Sequence, residues 1–231
     1  MRISSGVPGF DDIVDGGFPS NRLYVVSGPP GSGKTTFCSQ FAAEGARNGD
    51  NVLYVSMHET KEGIRRDMGG YDFGFDRALD TDRVTFLDAF SSDGRRFFGP
   101  PGDRRDRSGV TNRLTGFISS RDIDRVVFDS TMLLRYLLDD EEDTIVQFLS
   151  SLKRCDATTL LISEMTDPSA YSQEHYLAHG VVFMHNYLAD DGMQRGAQVL
   201  KMRGTDVDTD IQQVEFSDSG MRIGSAVTVS H

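Results

Sequence analysis

A glycine-rich octapeptide near the start of the chain carries the clearest chemical signal in the sequence. Residues 28–35 read Gly-Pro-Pro-Gly-Ser-Gly-Lys-Thr, the G-x-x-x-x-G-K-T pattern of a phosphate-binding loop (P-loop). Backbone N–H groups of such a loop, with the N-terminus of the helix that follows, surround phosphate oxygens. An apolar strand, Leu23–Val26, precedes the loop and a helical pattern begins near Lys34, so the context agrees with the motif. The predicted nucleotide-binding residues are Gly28, Pro29, Pro30, Gly31, Ser32, Gly33, Lys34, Thr35 and Thr36.

Two side chains of this loop have separate roles in the prediction. Lys34 would neutralise the β- and γ-phosphates of ATP, and the Thr35 hydroxyl would bind Mg²⁺. A P-loop also needs a carboxylate at the end of a neighbouring strand to complete the Mg²⁺ shell. The segment Arg125–Asp129 reads as a buried strand that ends in Asp129, although an Asp after a strand can also simply cap a turn. We predict ATP and Mg²⁺ as cofactors, with Thr35 and Asp129 as the metal-binding side chains.

The elements that must position these residues follow an α/β pattern. Short runs of Val, Leu and Ile alternate with amphipathic stretches, which is typical of a mostly parallel sheet with helices on both faces. The clearest helix runs from about 140 to 154, with Ile145, Phe148, Leu149 and Leu152 on one face. No helical pattern follows Val181, so we predict a C-terminal antiparallel extension. The predicted strands are Leu23–Ser27, Val52–Ser56, Arg83–Asp88, Arg125–Asp129, Thr158–Ser163, Val181–Asn186 and Ala197–Met202.

One arginine-rich segment, residues 91–113, fits neither pattern. It contains six arginines, three aspartates and the glycine- and proline-rich run 99–102. Clusters of glycine and proline between periodic segments are typical of loops. We therefore predict a flexible loop over 91–113.

Length and composition limit the remaining possibilities. A chain of 231 residues suits one domain, 1–231, and its two cysteines lack the spacing of a metal or redox site. The sequence has 27 Asp against 8 Glu and 20 Arg against 4 Lys, with a net charge of −11. Such acidity suggests a halophilic source and argues against general nucleic-acid binding, although a local basic patch is compatible with it. The sequence has no apolar run of about 18 residues, so we predict that the protein does not associate with a membrane. A cytoplasmic location is predicted.

Several further segments resemble the KaiC-like branch of the RecA-type ATPases, a family with many archaeal members. The resemblance runs from Gly6 to about Ile223 and implies a RecA-like P-loop NTPase core. The motif near its end, Lys201–Thr205, is the most specific. The segments that carry it are Gly6–Ile13, Gly16–Pro19, Val55–Thr60, Asp129–Ser130 and Lys201–Thr205.

The resemblance also implies an active site shared between subunits. Lys201 and Arg203 occupy alternate positions of a strand, so their side chains project to the same face. In the family, the corresponding pair reaches the γ-phosphate bound by the neighbouring subunit. We therefore predict catalytic roles for Lys34, Lys201 and Arg203, and a homo-oligomer, taken as a hexamer.

The sequence departs from the family pattern in two places. Where these proteins usually carry paired glutamates after the second strand, this chain has His58 and Glu59. An imidazole activates water only when it is neutral and well placed, so we expect slow hydrolysis. Glu59 is the alternative general base. If His58 has no catalytic role, it is an ordinary surface residue. The family includes a cyanobacterial clock protein whose second domain carries adjacent Ser/Thr phosphate acceptors. The corresponding segment here, 175–179, reads His-Tyr-Leu-Ala-His, so autophosphorylation is not predicted.

Three functions remain open at this point. The leading hypothesis is a weak ATPase that acts as an oligomeric, nucleotide-dependent switch and signals to an unidentified protein partner. The second is a DNA recombination or repair accessory of the RadA type, with the segment 91–113 facing DNA. The third is an ATP sensor with negligible hydrolysis.

Overall fold

The computed structural model describes residues 1–57, 59–89, 91–98, 107–131, 135, 142–189 and 192–226. The helices are α1 (Phe10–Ile13), α2 (Lys34–Asn48), α3 (Lys61–Met68), α4 (Phe75–Ala78), α5 (Ser92–Phe98), α6 (Arg107–Ser120), α7 (Glu142–Leu152) and α8 (Gln173–Leu177). The strands are β1 (Arg2–Ile3), β2 (Phe18–Pro19), β3 (Leu23–Gly28), β4 (Val52–Ser56), β5 (Val84–Asp88), β6 (Arg125–Asp129), β7 (Thr158–Glu164), β8 (Gly180–Ala189), β9 (Gly192–Met202), β10 (Gln212–Ser217) and β11 (Gly220–Ala226).

A large mixed sheet forms the centre of the molecule. Among the described residues its strand order is β11-β10-β9-β8-β3-β7-β6-β4-β5. The strands from β8 to β5 in this order pair in parallel, whereas β8, β9, β10 and β11 pair in an antiparallel manner. The predicted α/β fold, with its parallel core and antiparallel C-terminal extension, is confirmed.

Helices cover both faces of this sheet, as the apolar strand sequences predict. On β3, Tyr24 and Val26 pack in one hydrophobic cluster and Leu23 and Val25 pack in another. Both clusters consist of buried side chains, and alternate residues of a strand point to opposite faces. The strand that leads into the P-loop is therefore buried on both sides.

The segment ahead of β3 is fixed by aromatic packing. Phe10 and Phe18 are fully buried, and their ring centroids lie 5.0 Å apart. Phe10 also packs edge-on against Phe37 of α2 at 5.0 Å, and Phe18 contacts Tyr24 at 4.6 Å. These contacts bury large apolar areas and fasten the start of the chain to the helix that follows the P-loop.

A buried arginine ties three parts of the fold together. Arg125, at the start of β6, is 1% exposed, and its Nε donates to Oδ2 of Asp50 at 2.6 Å. Its Nη1 donates to the carbonyls of Ser4 at 2.8 Å and Phe41 at 3.1 Å, and its guanidinium lies 4.6 Å from the Phe41 ring centroid. The charge is compensated by hydrogen bonds, as a buried cation requires.

The prediction of a flexible loop over 91–113 is wrong for the part that the structure describes. Residues 92–98 form α5 and residues 107–113 begin α6, while 99–106 lie outside the described residues. Phe98, Val110 and Leu114 are buried in the cluster on one sheet face, and Arg113 Nε donates to the carbonyl of Phe97 at 2.6 Å. The dense arginines obscured a helical i, i+4 apolar spacing, which packing stabilises.

The helix predicted over 140–154 is confirmed as α7, and the four side chains assigned to its inner face are buried. Residues 140–141 at the start of this predicted helix lie outside the described residues. Within the described part of the chain, no helix is both long enough and apolar enough to cross a membrane.

Candidate nucleotide-binding site

The P-loop connects the end of β3 to the start of α2, as predicted. Gly28 has φ 151°, and a Cβ there would lie 2.2 Å from the Met184 carbonyl oxygen. Gly33 has φ 100°, and its Cβ would lie 2.5 Å from the Met221 side chain. Both positions require glycine because L-residues rarely adopt these dihedrals and because neighbouring atoms leave no room. The loop is thus held tightly by the antiparallel extension.

The Lys34 side chain is folded back onto the loop. It is 6% exposed, and Nζ donates to the carbonyl oxygens of Gly28 at 2.8 Å and Pro29 at 2.9 Å. Nζ also forms an ion pair with Oε1 of Glu164 at 3.2 Å. The predicted phosphate-binding ammonium therefore has oxygen partners on three residues.

Sequence reasoning missed Glu164. This residue ends β7, and in the parallel register of β3 and β7 it lies beside Gly28. The signal was present, because the carboxyl ends of neighbouring parallel strands meet at one edge of a sheet, where α/β proteins bind their ligands. A carboxylate at the end of any strand next to the P-loop strand is a candidate by that rule.

The two residues predicted to bind Mg²⁺ lie in direct contact. Thr35 Oγ1 donates to Oδ2 of Asp129 at 3.0 Å, and the Tyr54 hydroxyl donates to the same oxygen at 3.4 Å. Burial, and next the nearby Asp129 charge, raise the pKa of Tyr54, so the phenol stays a proton donor. A hydroxyl and a carboxylate fit Mg²⁺, which usually takes only one or two protein ligands beside phosphates and water. Among the described residues, no cluster of three or more His, Cys, Asp and Glu could hold a metal alone.

A cavity of about 490 Å³ opens over these side chains. Its lining combines P-loop residues with Tyr71 and Phe216, and the Phe216 ring lies against Gly33 of the loop. The Arg195 guanidinium lies 5.0 Å from the Phe216 ring centroid, and its Nε donates to the Gly31 carbonyl at 3.0 Å. The lining residues are Pro30, Gly31, Gly33, Lys34, Thr35, Thr36, Tyr71, Asp129, Ile162, Glu164, Arg195 and Phe216.

One buried hydroxyl in the loop has no protein partner. Ser32 Oγ is inaccessible to solvent and forms no hydrogen bond within the described part of the chain. A buried polar group without a partner costs about 1–3 kcal/mol. A phosphate oxygen in the loop would satisfy this hydroxyl, so the arrangement fits the predicted ligand.

Of the two predicted water-activating residues, the structure describes only Glu59. His58 lies outside the described residues. Glu59 is exposed, and its backbone N–H donates to Ser56 Oγ at 2.9 Å. Its carboxylate lies beside Gly63 in the first turn of α3, and Glu59 does not line the cavity. The catalytic roles of His58 and Glu59 stay predictions.

Lys201 and Arg203 lie at the end of β9, away from the cavity lining. Lys201 Nζ donates to the carbonyl oxygens of His175 at 3.0 Å and Tyr176 at 3.2 Å. Arg203 Nη2 donates to the same Tyr176 oxygen at 3.5 Å, so the two side chains share one side, as the spacing predicts. Burial, then the charges of Arg203 and Lys153, lower the pKa of Lys201.

This chain is similar to known proteins in both sequence and structure. A family model described as "ATPase: KaiC" matches residues 3–227. Circadian clock protein KaiC3 of Synechocystis sp. is 29% identical over 218 residues, which cover 89% of this chain and 42% of that protein. The circadian clock oscillator protein KaiC of Prochlorococcus marinus is 30% identical over 214 residues, with the same two coverages.

The chain thus spans less than half the length of these curated relatives. A crystal structure of a KaiC-like protein from the hyperthermophilic archaeon Pyrococcus horikoshii matches with a TM-score of 0.81 and 24% identity. The match covers 96% of this chain and 98% of that chain, so the two share a fold over their whole described extent.

Proposed function

Because the chain belongs to the KaiC family of ATPases, we propose that it binds MgATP over the P-loop, hydrolyses it slowly and acts as a nucleotide-dependent switch. The observation that carries this proposal is the 3.0 Å contact between Thr35 Oγ1 and Asp129 Oδ2. These residues are 94 positions apart in the sequence, and the fold brings a hydroxyl and a carboxylate together beside the P-loop.

The residues of the loop would divide the work of binding phosphate. Backbone N–H groups and the start of α2 supply positive electrostatic potential, and the Ser32 hydroxyl supplies a further donor. Lys34 would exchange its carbonyl and Glu164 partners for phosphate oxygens. When bound, Mg²⁺ neutralises charge on the β- and γ-phosphates.

Two aromatic residues in the cavity lining, Tyr71 and Phe216, support a nucleotide rather than a simple phosphate as the ligand. Tyr71 and Phe216 present ring surfaces, and Arg195 lies over one of them. Bases stack on aromatic rings and guanidinium planes with about 1–3 kcal/mol per base. The cavity therefore offers a place for the base as well as for the phosphates.

Slow hydrolysis is supported by the position of Glu59. Its carboxylate lies against α3 and outside the cavity lining, so it must move to activate a water molecule. A well-placed general base contributes about 10²–10⁴-fold to rate. The same observation favours a second candidate function, an ATP sensor with negligible turnover.

Assembly is the next part of the proposal. Lys201 and Arg203 lie outside their own cavity lining, which supports a role on a neighbouring protomer in a homo-oligomer, proposed as a hexamer. The switch would report its nucleotide state to a protein partner in the cytoplasm. The net charge of −11 supports a protein partner over nucleic acid, and it supports a halophilic setting.

Calorimetry tests the nucleotide site. Wild type should bind MgATP, and Lys34→Ala should bind it at least about 100-fold more weakly, because a charged hydrogen-bond partner of the phosphates is removed. Lys61→Ala on α3 is the matched control and should bind like wild type. Equal affinity of wild type and Lys34→Ala would overturn the assignment. Native mass in ATP and in ADP at high salt then tests the switch, which requires different assemblies.

A further inference from the structure

We propose that the short helix α8 is a relay between the Lys201–Arg203 pair and the P-loop, with Glu174 and His175 as its positioning residues. The role of this relay in catalysis depends on the proposed function above. The mechanical link itself concerns the nucleotide-free protein and is argued from its contacts alone.

The first contact joins α8 to the strand that carries the P-loop. His175 Nε2 lies 2.7 Å from Ser27 Oγ, and both side chains are buried. His175 Nδ1 accepts a hydrogen bond from the Ser172 backbone N–H at 3.1 Å, which leaves the proton of the neutral ring on Nε2. Nε2 therefore donates to Ser27, and Ser27 directly precedes Gly28, whose carbonyl accepts from Lys34. Burial lowers the pKa of His175 and so favours this neutral ring.

The second contact joins α8 to the other partner of the P-loop lysine. Glu174 is 3% exposed, and its Oε1 accepts from Ser163 Oγ at 2.9 Å. Ser163 directly precedes Glu164, the carboxylate that pairs with Lys34. Oε2 of Glu174 accepts from Arg135 Nη2 at 2.7 Å, which compensates the buried charge. His175 and Glu174 of α8 thus contact Ser27 and Ser163. These two serines directly precede Gly28 and Glu164, which both contact Lys34 Nζ.

The third contact is made to backbone carbonyl oxygens of the same helix. The carbonyl oxygens of His175 and Tyr176 accept from Lys201 Nζ, and that of Tyr176 also accepts from Arg203. The helix has five residues, which corresponds to about 7.5 Å. Over that length it moves as one piece, so a force on its carbonyls reaches the His175 and Glu174 side chains.

A consequence for neighbouring sites follows. When Lys201 and Arg203 turn toward a phosphate on the next protomer, they release the α8 carbonyls. The helix is then free to shift, and the Ser27 and Ser163 anchors shift with it. Occupancy of one site is in this way transmitted to the P-loop of the protomer that supplies the pair, which is a coupling between two nucleotide sites.

Another route exists in the fold and must be separated from the relay. Strand β8 pairs with β3 on one side and with β9, which carries Lys201, on the other. Coupling through β8 needs no His175 side chain, whereas the relay needs the hydrogen bond of His175 to Ser27.

Two substitutions at position 175 separate these two routes. In His175→Gln the amide nitrogen occupies the place of Nε2, and in His175→Asn the amide oxygen replaces only Nδ1.

Amide hydrogen exchange of the nucleotide-free protein, read by mass spectrometry on a peptide covering 23–36, tests the relay. Lys201→Ala should speed exchange of this peptide at least about threefold, the lower end of coupling between residues in one network. In the His175→Asn background, exchange should be fast already and Lys201→Ala should add much less than in wild type, because only the contact of Glu174 with Ser163 then remains. In the His175→Gln background, the effect of Lys201→Ala should return.

Any other pattern of exchange rates in these variants decides against the relay. If Lys201→Ala leaves the peptide unchanged, or changes it as much as the control Lys61→Ala does, no link exists. If its effect persists undiminished with His175→Asn, the coupling runs through β8. Should His175→Asn fail to fold, as judged by circular dichroism, Ser27→Ala removes the same hydrogen bond without altering α8. Failure of wild type to bind MgATP in calorimetry would overturn the proposed function and leave this readout valid.

Discussion

Lys34 and Glu164 form an ion pair, with Nζ 3.2 Å from Oε1, inside the loop proposed to hold the nucleotide phosphates. The lysine side chain is 6% exposed and the glutamate side chain 43% exposed. Phosphate and carboxylate therefore compete for the same ammonium. Nucleotide binding in this protein is an exchange of anions around one cation, and its strength depends on how firmly the internal anion holds.

Glu164→Gln should tighten MgADP binding about two- to fivefold, because a half-exposed ion pair is worth up to about 1 kcal/mol and the substitution removes it. Calorimetry at low and high salt measures the change, which should shrink as salt screens the carboxylate. Glu62→Gln, on exposed α3, is the control and should have no effect. Weaker binding by Glu164→Gln would show that this carboxylate assists the nucleotide.

Asp129→Asn should weaken the binding of Mg²⁺ to the complex of the protein with ATP. The amide keeps an oxygen that can accept from Thr35 but loses the charge that attracts the metal, so Mg²⁺ affinity should fall about 10- to 100-fold. Titration of Mg²⁺ into protein with ATP measures this fall, and Glu62→Gln is the control variant that should titrate like wild type. An unaltered Mg²⁺ titration would remove Asp129 from the metal site.

His58→Glu should speed ATP hydrolysis, and Glu59→Gln should slow the turnover that remains. A carboxylate activates water directly, and well-placed general bases contribute about 10²–10⁴-fold, so both changes are measurable in a phosphate-release assay. Glu62→Gln again serves as the control. A fast wild-type rate that Glu59→Gln leaves unaffected would contradict this account of the slow step.

Lys201 and Arg203 should act on the ATP of a neighbouring protomer. Cationic groups supplied across an interface raise phosphoryl-transfer rates by about 10³–10⁵ in other enzymes. Lys34→Ala and the double variant Lys201→Ala/Arg203→Ala should each be inactive, and mixing them should restore part of the activity. Native mass spectrometry confirms that mixed assemblies form. Absence of recovery in such assemblies, or full activity of a monomer, would refute action between protomers.

Arg125→Met should destabilise the fold by about 3–5 kcal/mol, because it leaves Asp50 and two carbonyl oxygens without their buried cationic partner. Urea denaturation followed by circular dichroism measures the free energy of unfolding. Arg222→Met, which breaks an exposed pair with Glu215, should cost at most about 1 kcal/mol. Similar losses in the two variants would mean that the Arg125 network contributes little.

Local patterns in the sequence predicted what depends on neighbours along the chain. The P-loop, the apolar strands and the buried face of α7 each follow from spacing within about fifteen residues, and the structure contains all three. Where long-range packing decides, the same reasoning was insufficient. The helices α5 and α6 form because Phe98 and Leu114 pack against the sheet, although arginine and glycine dominate the local composition.

The candidate site divides in the same way. Thr35 and Asp129 were predicted together because a motif implies a partner of known type. Glu164 and Tyr71 belong to no such pattern, and only strand register and the turn after α3 bring them to the cavity. Register is set by the whole sheet, so single-sequence reasoning reaches it only through the rule that parallel strands end at one edge.

The order of strands in the sheet also has a consequence for synthesis. Ser27 of β3 pairs with Ser163 of β7 on one side and with Phe183 of β8 on the other. At about 5–20 residues added per second, the P-loop strand leaves the ribosome on the order of ten seconds before either neighbour has been made. During that interval both hydrogen-bonding edges of β3 lack their partner strands. Translation products that stop before residue 183 would carry an intact P-loop sequence and no nucleotide site.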